Sequence, residues 1–99
     1  MPMEIKLHEE GEKLTVELLG RLDTLTAPEL SQALESKNPA EMIIDLSQLE
    51  YISSAGLRVL LTAQKKVDER EGSLLIKNPN PVVRHIFKIT GLDRNIHIE

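Results

Sequence analysis

The spacing of apolar and polar residues predicts that strands and helices alternate along the chain. Residues 4–8 and 14–18 alternate polar and apolar side chains, as half-buried strands do, and the turn-forming segment 9–12 between them predicts an antiparallel hairpin. Gly20 is expected to end the second strand, so that residues 21–23 form a short extended or looping segment.

The first helix is predicted to begin at Thr26. The segment Thr26-Ala27-Pro28-Glu29 has the spacing of a capping box, in which the threonine hydroxyl binds a free amide and the glutamate binds the amide of the threonine. Pro28 fits the first turn, where a missing N–H costs nothing. The helix is expected to end near Lys37-Asn38-Pro39, because proline disfavours helical backbone in the residue before it.

The middle of the chain predicts two buried strands joined by a long helix. Residues 42–46 are a nearly continuous apolar run, which indicates a strand covered on both faces as in parallel sheets, and residues 74–76 form a second buried strand. The helix is predicted to reach about Glu71, with Gly72 ending it in the left-handed conformation. One face of this helix carries Gly56, Leu60, Ala63 and Val67.

A third helix and a short strand complete the chain. Asn80 is expected to cap this helix and Pro81 to open it, with Gly91 closing it before a strand around His97. The resulting order, β-β-α-β-α-β-α-β, predicts one α/β domain over residues 1–99, with a mixed sheet and two helical crossovers between strands. The inner face of the third helix is expected to carry Val83, Ile86, Phe87 and Thr90.

Composition and charge exclude several classes of function. Aromatic residues make up 2% of the chain, so no platform for stacking bases or sugars exists, and the net charge of −4 argues against a nucleic-acid partner. The absence of cysteine excludes a disulfide framework and a thiolate zinc site. His8, His85 and His97 lack the spacing of metal ligands, and no phosphate-binding loop is present. We therefore expect neither an enzyme, nor a metal, nor a cofactor.

The distribution of apolar residues also bears on location. The longest apolar run is short, and Met1-Pro2-Met3-Glu4 does not have the character of a signal peptide. A cytoplasmic protein without direct membrane insertion is therefore expected.

Ser53 and Ser54 are the most informative candidates for chemistry. They lie at a predicted junction between a strand and the long helix, where free amides and partial positive charge favour an added phosphate. Ala55 and Gly56 are expected to keep the approach to the backbone open. The ordinary alternative is that a serine here only caps the helix. Asp45, at a strand end, is interpreted as a structural hydrogen-bond acceptor.

Three segments, in register over essentially the whole chain, resemble the anti-sigma factor antagonists of bacteria, which are single STAS domains. The similarity is carried by Gly20-Arg21-Leu22-Asp23 with Thr26-Ala27, by Tyr51-Ile52-Ser53-Ser54-Ala55-Gly56-Leu57, and by Asn80-Pro81-Val82-Val83-Arg84 with Thr90-Gly91-Leu92. The chain differs from the family pattern in two respects. Ser53 stands where the family often has aspartate, and the chain ends at Glu99, before the extra C-terminal helix that many members carry.

The resemblance implies a STAS-like mixed sheet with helices and a partner-switching function. In such systems the unmodified antagonist binds an anti-sigma factor that is also a serine kinase, phosphorylation dissolves the complex, and a PP2C-type phosphatase restores it. The phosphoacceptor corresponds to Ser54, with Ser53 as a helper or minor site. The implied partner-binding surface comprises Asp23, Thr24, Ser53, Ser54, Ala55, Gly56 and Arg58.

Two other functions remain open from the sequence. The chain could be a STAS subunit of a membrane complex, such as a phospholipid-transport ATPase, in which the same surface is a permanent clamp without phosphorylation. It could also be a scaffold for stress or chemosensory signalling. A serine at the position of a phosphoacceptor favours a partner switch controlled by phosphorylation over a permanent clamp.

Overall fold

Strands and helices alternate along the chain in the predicted order. The computed structural model describes residues 3–99; Met1 and Pro2, which belong to the segment expected not to be a signal peptide, lie outside it. The elements are β1 (Glu4–Glu10), β2 (Lys13–Leu22), α1 (Ala27–Glu35), β3 (Glu41–Ile52), α2 (Ser54–Glu69), β4 (Ser73–Lys77), α3 (Pro81–Thr90), a 3₁₀ turn (Leu92–Arg94) and β5 (His97–Ile98).

The strands form one five-stranded mixed sheet in the order β1-β2-β3-β4-β5. β1 and β2 are the predicted antiparallel hairpin, whereas β2, β3, β4 and β5 pair in parallel. Parallel neighbours cannot be joined by a tight turn, so a helix connects each pair. Within residues 3–99 the crossovers therefore number three, one more than the sequence predicted.

The strand registers gather the apolar side chains on one face of the sheet. Residues of β2 lie beside equivalent residues of β3, which in turn lie beside those of β4. The helices add their apolar faces to the same core, of which Leu14, Val16, Met42, Ile44, Leu60, Ile76, Val83 and Phe87 are at most 2% exposed. On the opposite face, Ile43 and Asp45 of β3 are only half-buried. The expectation that this strand is covered on both faces is therefore wrong.

β2 and β3 both extend beyond their predicted ends. Gly20 does not end β2: with a positive φ of 101° it stays in the ladder opposite Leu49, and the strand continues to Leu22. Two register shifts in this pairing keep Leu49 and Ile52 buried, so the polar segment after Leu46 does not end β3. The extension carries both strands up to the loops where the candidate residues lie.

The predicted capping box at Thr26 is absent. Thr26 is the residue before α1, but its backbone is helical (φ −98°, ψ −20°) and its side chain caps no amide of α1. Its buried hydroxyl instead donates to the carbonyl oxygen of Arg21 at 2.7 Å and accepts from the amide of Asp23 at 2.8 Å. The hydroxyl is thus used to shape the loop before the helix.

The left-handed residue that ends α2 is Glu71 (φ 57°), not Gly72. Gly72 is required for a different reason, because a Cβ there would lie 2.4 Å from the carbonyl oxygen of Ala40. Thr90 is exposed rather than on the inner face of α3, and its hydroxyl donates to the carbonyl oxygen of Ile86. The predicted Asn80 cap, Pro81 start and left-handed Gly91 are confirmed.

Candidate functional site: the serine corner

Two loops meet at the end of the sheet where β2 and β3 finish. The strands are parallel, so their carboxyl ends lie at the same edge. The amide of Ser53 donates to the carbonyl oxygen of Leu22 at 2.9 Å, which joins the start of α2 to the end of β2. We call the surface formed by residues 23–25, 53–55 and 58 the serine corner.

The loop between β2 and α1 is held by the carboxylate of Asp23. Its Oδ1 accepts hydrogen bonds from the amides of Leu25 at 3.0 Å and Thr26 at 3.1 Å, the usual turn made by an aspartate with the backbone after it. The backbone carbonyl of Asp23 accepts from the amide of Ala27 at 2.8 Å. Asp23 therefore shapes the corner, as a residue that orders the backbone.

These contacts also affect the acidity of Asp23. Partial burial acts to raise the pKa of this carboxyl, but the hydrogen bonds from the amides of Thr26 and Leu25, the Thr26 hydroxyl and the charge of Arg21 together lower the pKa below its ordinary value of 3.8. Asp23 is consequently ionised at neutral pH and contributes a negative charge to the corner.

The two adjacent serines have different positions. Ser53 is the N-cap of α2: its backbone is extended, its carbonyl oxygen accepts from the amide of Leu57 at 2.9 Å, and its Oγ accepts from the amide of Gly56 at a long 3.5 Å. Ser54 is the first residue of α2 and is exposed. The capping role therefore belongs to Ser53, and the Ser54 hydroxyl is the more accessible of the two.

Gly56 lies beneath the corner rather than on its surface. The residue is buried, and a Cβ at this position would lie 2.7 Å from Cγ of Leu22 and 2.9 Å from Cγ1 of Ile52. The expectation that Gly56 contributes an open approach and partner contact is thus corrected. Its missing side chain lets the start of α2 pack on the ends of β2 and β3.

Thr24, Ala55 and Arg58 line one shallow hollow of about 270 Å³ beside Ser54. Arg58 is exposed, and among the described residues it has no carboxylate within ion-pair distance. The structure thus brings the predicted surface residues together, Gly56 excepted, and places an unpaired positive charge one turn along the helix from Ser54.

Sequence reasoning missed Leu25. This residue lies in the same loop as Asp23 and its side chain is 84% exposed, the most among the large apolar residues of the described chain. The sequence contains a sign of this exposure, because a leucine between polar loop residues fits neither a strand pattern nor a helix pattern. Arg21 was also unassigned; its guanidinium lies 4.6 Å from the ring centre of Tyr51, a cation–π contact at the end of the sheet.

Other candidate chemistry does not gather into a site. Within residues 3–99, no group of three or more histidine, aspartate or glutamate side chains is arranged to hold a metal ion. Asp45 accepts from the amide of Ser47 at 2.9 Å, which confirms its structural role. No helix among residues 3–99 has the length and hydrophobicity needed to cross a membrane.

Comparison with known proteins identifies the family. Residues 5–98 match the family described as Mlab, STAS domain. The whole chain is 31% identical to an anti-sigma-B factor antagonist of Listeria monocytogenes, of which it covers 90%. It is 36% identical over 77 residues to BtrV of Bordetella bronchiseptica, of which it covers 66%.

Solved structures agree with this assignment. The crystal structure of an anti-sigma factor antagonist from Mycobacterium paratuberculosis superposes with a TM-score of 0.86 at 27% identity, over 97% of this chain and 84% of the other. Members of this family are regulatory binding proteins rather than enzymes. Sequence, fold and superposition together show that this chain belongs to the STAS-domain family of anti-sigma factor antagonists.

Proposed function

We propose that this protein is a cytoplasmic partner switch that binds an anti-sigma factor with serine kinase activity, and that phosphorylation of Ser54 ends the binding. The observation that carries the proposal is the position of Ser54: exposed, first in α2, and one turn from Arg58, which has no carboxylate partner among residues 3–99. The exposed Leu25 in the adjacent loop supplies an apolar contact for a partner.

The start of α2 is suited to carry a phosphate without loss of the fold. The first amides of a helix have no acceptor within it, and their end of the helix carries partial positive charge. α2 has no acidic residue in its first turn, so an added phosphate meets no like charge within that turn. A phosphoryl group adds about −1.5 to −2 charges and three acceptor oxygens.

A phosphate on Ser54 is, by contrast, expected to weaken the contact with a partner that packs on the same corner. The unmodified corner offers a leucine side chain, a serine hydroxyl and an arginine in one contact area. A dianion inside such an interface must lose its hydration, and it would neutralise Arg58 from within the same chain. A loss of about 1–3 kcal/mol across the contact weakens binding by about 5- to 150-fold.

The different positions of the two serines support Ser54 as the acceptor. The Oγ of Ser53 faces the amide of Gly56, whereas the Ser54 hydroxyl makes no hydrogen bond to another described residue. Ser53, where the family often has aspartate, is proposed as a helper that orients the helix start. A PP2C-type phosphatase would return the protein to its binding form.

The test is phosphorylation of the purified chain by its cognate anti-sigma factor kinase with ATP, followed by peptide mass spectrometry. We expect one phosphate on Ser54, which Ser54→Ala abolishes and the matched Ser53→Ala variant retains. Phosphate on another residue, or a stable complex in which no phosphate is transferred, would overturn the assignment. A complex that forms but is never modified would favour a permanent clamp, as in a transport subunit.

A further inference from the structure

A groove between α1 and α2 begins at the serine corner. It consists of two hollows, of about 270 Å³ and about 370 Å³, that share Ser31, Val59 and Thr62 as lining residues. The smaller hollow opens at the corner, where Thr24 and Arg58 line it. The groove is therefore continuous with the surface proposed to bind the anti-sigma factor.

The lining of the groove is mainly apolar. Leu34, Val59 and Ala63 supply carbon surface along its length, while the exposed Ser31 and Thr62 supply hydroxyl groups at its rims. Apolar grooves with a few polar groups at the edge are the surfaces into which amphipathic helices lay their apolar faces. The chemistry of the lining thus favours an apolar side of a helix over a polar peptide.

Charge distinguishes the two ends of the groove. At the corner, Arg58 has no carboxylate partner among the described residues. At the far end, the Nζ of Lys66 is engaged, because it donates to the carbonyl oxygens of Glu35 at 2.9 Å and Leu34 at 3.3 Å. Glu35 also lines the larger hollow. An acidic group on the occupant is therefore complementary to Arg58, whereas the carboxylate of Asp23 is engaged by the amides of its own loop and does not line the hollow.

Two apolar residues of α2 line the groove in succession: Val59 lines both hollows and Ala63 lines the larger one. Val59 and Ala63 stand four residues apart on α2, which corresponds to a rise of about 6 Å along the helix. Apolar side chains one turn apart on a second helix have the same separation. A helix laid along the groove can thus place apolar side chains against Val59 and Ala63 in turn.

We propose that this groove receives an amphipathic helix of the anti-sigma factor, with apolar residues one turn apart and a carboxylate that faces Arg58. The inference rests on the proposed function, because the same partner must cover the serine corner and continue along α1 and α2. It adds a second contact, distinct from the residue that is phosphorylated.

The test compares two neighbouring exposed residues of α1. Ser31 lines both hollows and Gln32 lines neither, so Ser31→Trp fills the groove while Gln32→Trp adds the same ring outside it. We expect Ser31→Trp to raise the Kd for the purified cognate anti-sigma factor about tenfold or more, and Gln32→Trp to change it by less than about twofold. Thermal unfolding of both variants, followed by circular dichroism, checks that the fold is retained.

The outcomes separate this inference from the proposed function. If Ser31→Trp binds like the unmodified chain while Ser54→Asp does not, the groove is not a contact and the proposed function stands. If the unmodified chain does not bind the anti-sigma factor at all, both proposals fail. A photoreactive residue at position 31 identifies the occupant: cross-links to an acidic amphipathic helix of the partner support the inference, and cross-links to a second copy of this chain overturn it.

Discussion

The amide of Ser53 and the carbonyl oxygen of Leu22 are joined by a 2.9 Å hydrogen bond, which fixes the start of α2 to the end of β2. Leu22 is fully buried, so the anchor belongs to the core of the molecule rather than to a loose loop. The serine corner thus rests on a rigid support. A change at Ser54 is expected to act on the surface that a partner meets, with the fold below it unchanged.

Replacement of Gly56 tests the close packing under the corner. The Cβ of Gly56→Ala would lie 2.7 Å from Leu22 Cγ, so the variant is expected to lose stability by about 1–3 kcal/mol, offset by up to about 1 kcal/mol of helix propensity. Urea denaturation measures the free energy of unfolding. The matched control, Ser31→Ala on the exposed surface of α1, should stay within about 0.5 kcal/mol of the unmodified chain. A Gly56→Ala protein as stable as the unmodified chain would refute this packing.

The lowered pKa of Asp23 predicts a pH-dependent contribution to stability. Because the folded-state pKa lies below the ordinary value of 3.8, the ionised carboxylate stabilises the fold above that pH. The contribution is lost as the pH falls through the lowered pKa. Asp23→Asn should therefore unfold more easily than the unmodified chain at about pH 7, and the difference should shrink towards about pH 3. Urea denaturation of both proteins across this range provides the measurement, and a difference that grows on acidification would contradict it.

Asn80 is expected to stabilise α3 through two contacts. Its Oδ1 accepts from the amide of Val83 at 2.8 Å, and its Nδ2 donates to the carbonyl oxygen of Leu49 at 3.0 Å. Asn80→Ala removes both and should lower the free energy of unfolding by about 1–2 kcal/mol. Asn80→Ser retains a cap and should lose less. Asn38→Ala, in an exposed loop, is the control. Equal stability of Asn80→Ala and Asn38→Ala would show that the contacts contribute nothing.

Leu25 is expected to matter for binding and not for folding. An 84% exposed side chain contributes little to the core, so Leu25→Ser should leave thermal unfolding unchanged. If the leucine anchors the partner, the Kd for the anti-sigma factor should rise about fivefold or more. Ile89→Ser, at a 67% exposed apolar residue of α3, provides the matched control. Equal affinity of both variants would remove Leu25 from the interface.

Local sequence patterns predicted the order of the elements well, since strand alternation, helix stripes and the Asn80-Pro81 start are short-range signals. They could not predict that β2 passes through Gly20, because the register shifts opposite β3 depend on a strand distant in sequence. The same holds for Gly72, whose missing side chain leaves room for the carbonyl of Ala40. Contacts between residues distant in sequence therefore determine both the continuation of β2 through Gly20 and the need for glycine at position 72.

The sequence predicted the candidate site only in part, because some features of the site depend on contacts between residues distant in sequence. The position of both serines at the start of α2 follows from local patterns. The capping box at Thr26 does not form because the threonine hydroxyl donates to the carbonyl oxygen of Arg21 and accepts from the amide of Asp23, contacts that spacing alone does not reveal. Burial of Gly56 emerges only once β2, β3 and α2 are packed together.

The most direct test is the affinity of the cognate anti-sigma factor for the chain before and after phosphorylation of Ser54, measured by titration calorimetry. We expect the Kd to rise by about 5- to 150-fold, while the circular dichroism spectrum stays that of the unmodified fold. An unchanged Kd for protein carrying the phosphate, or weakened binding explained by unfolding, would contradict the idea that this corner is the switch.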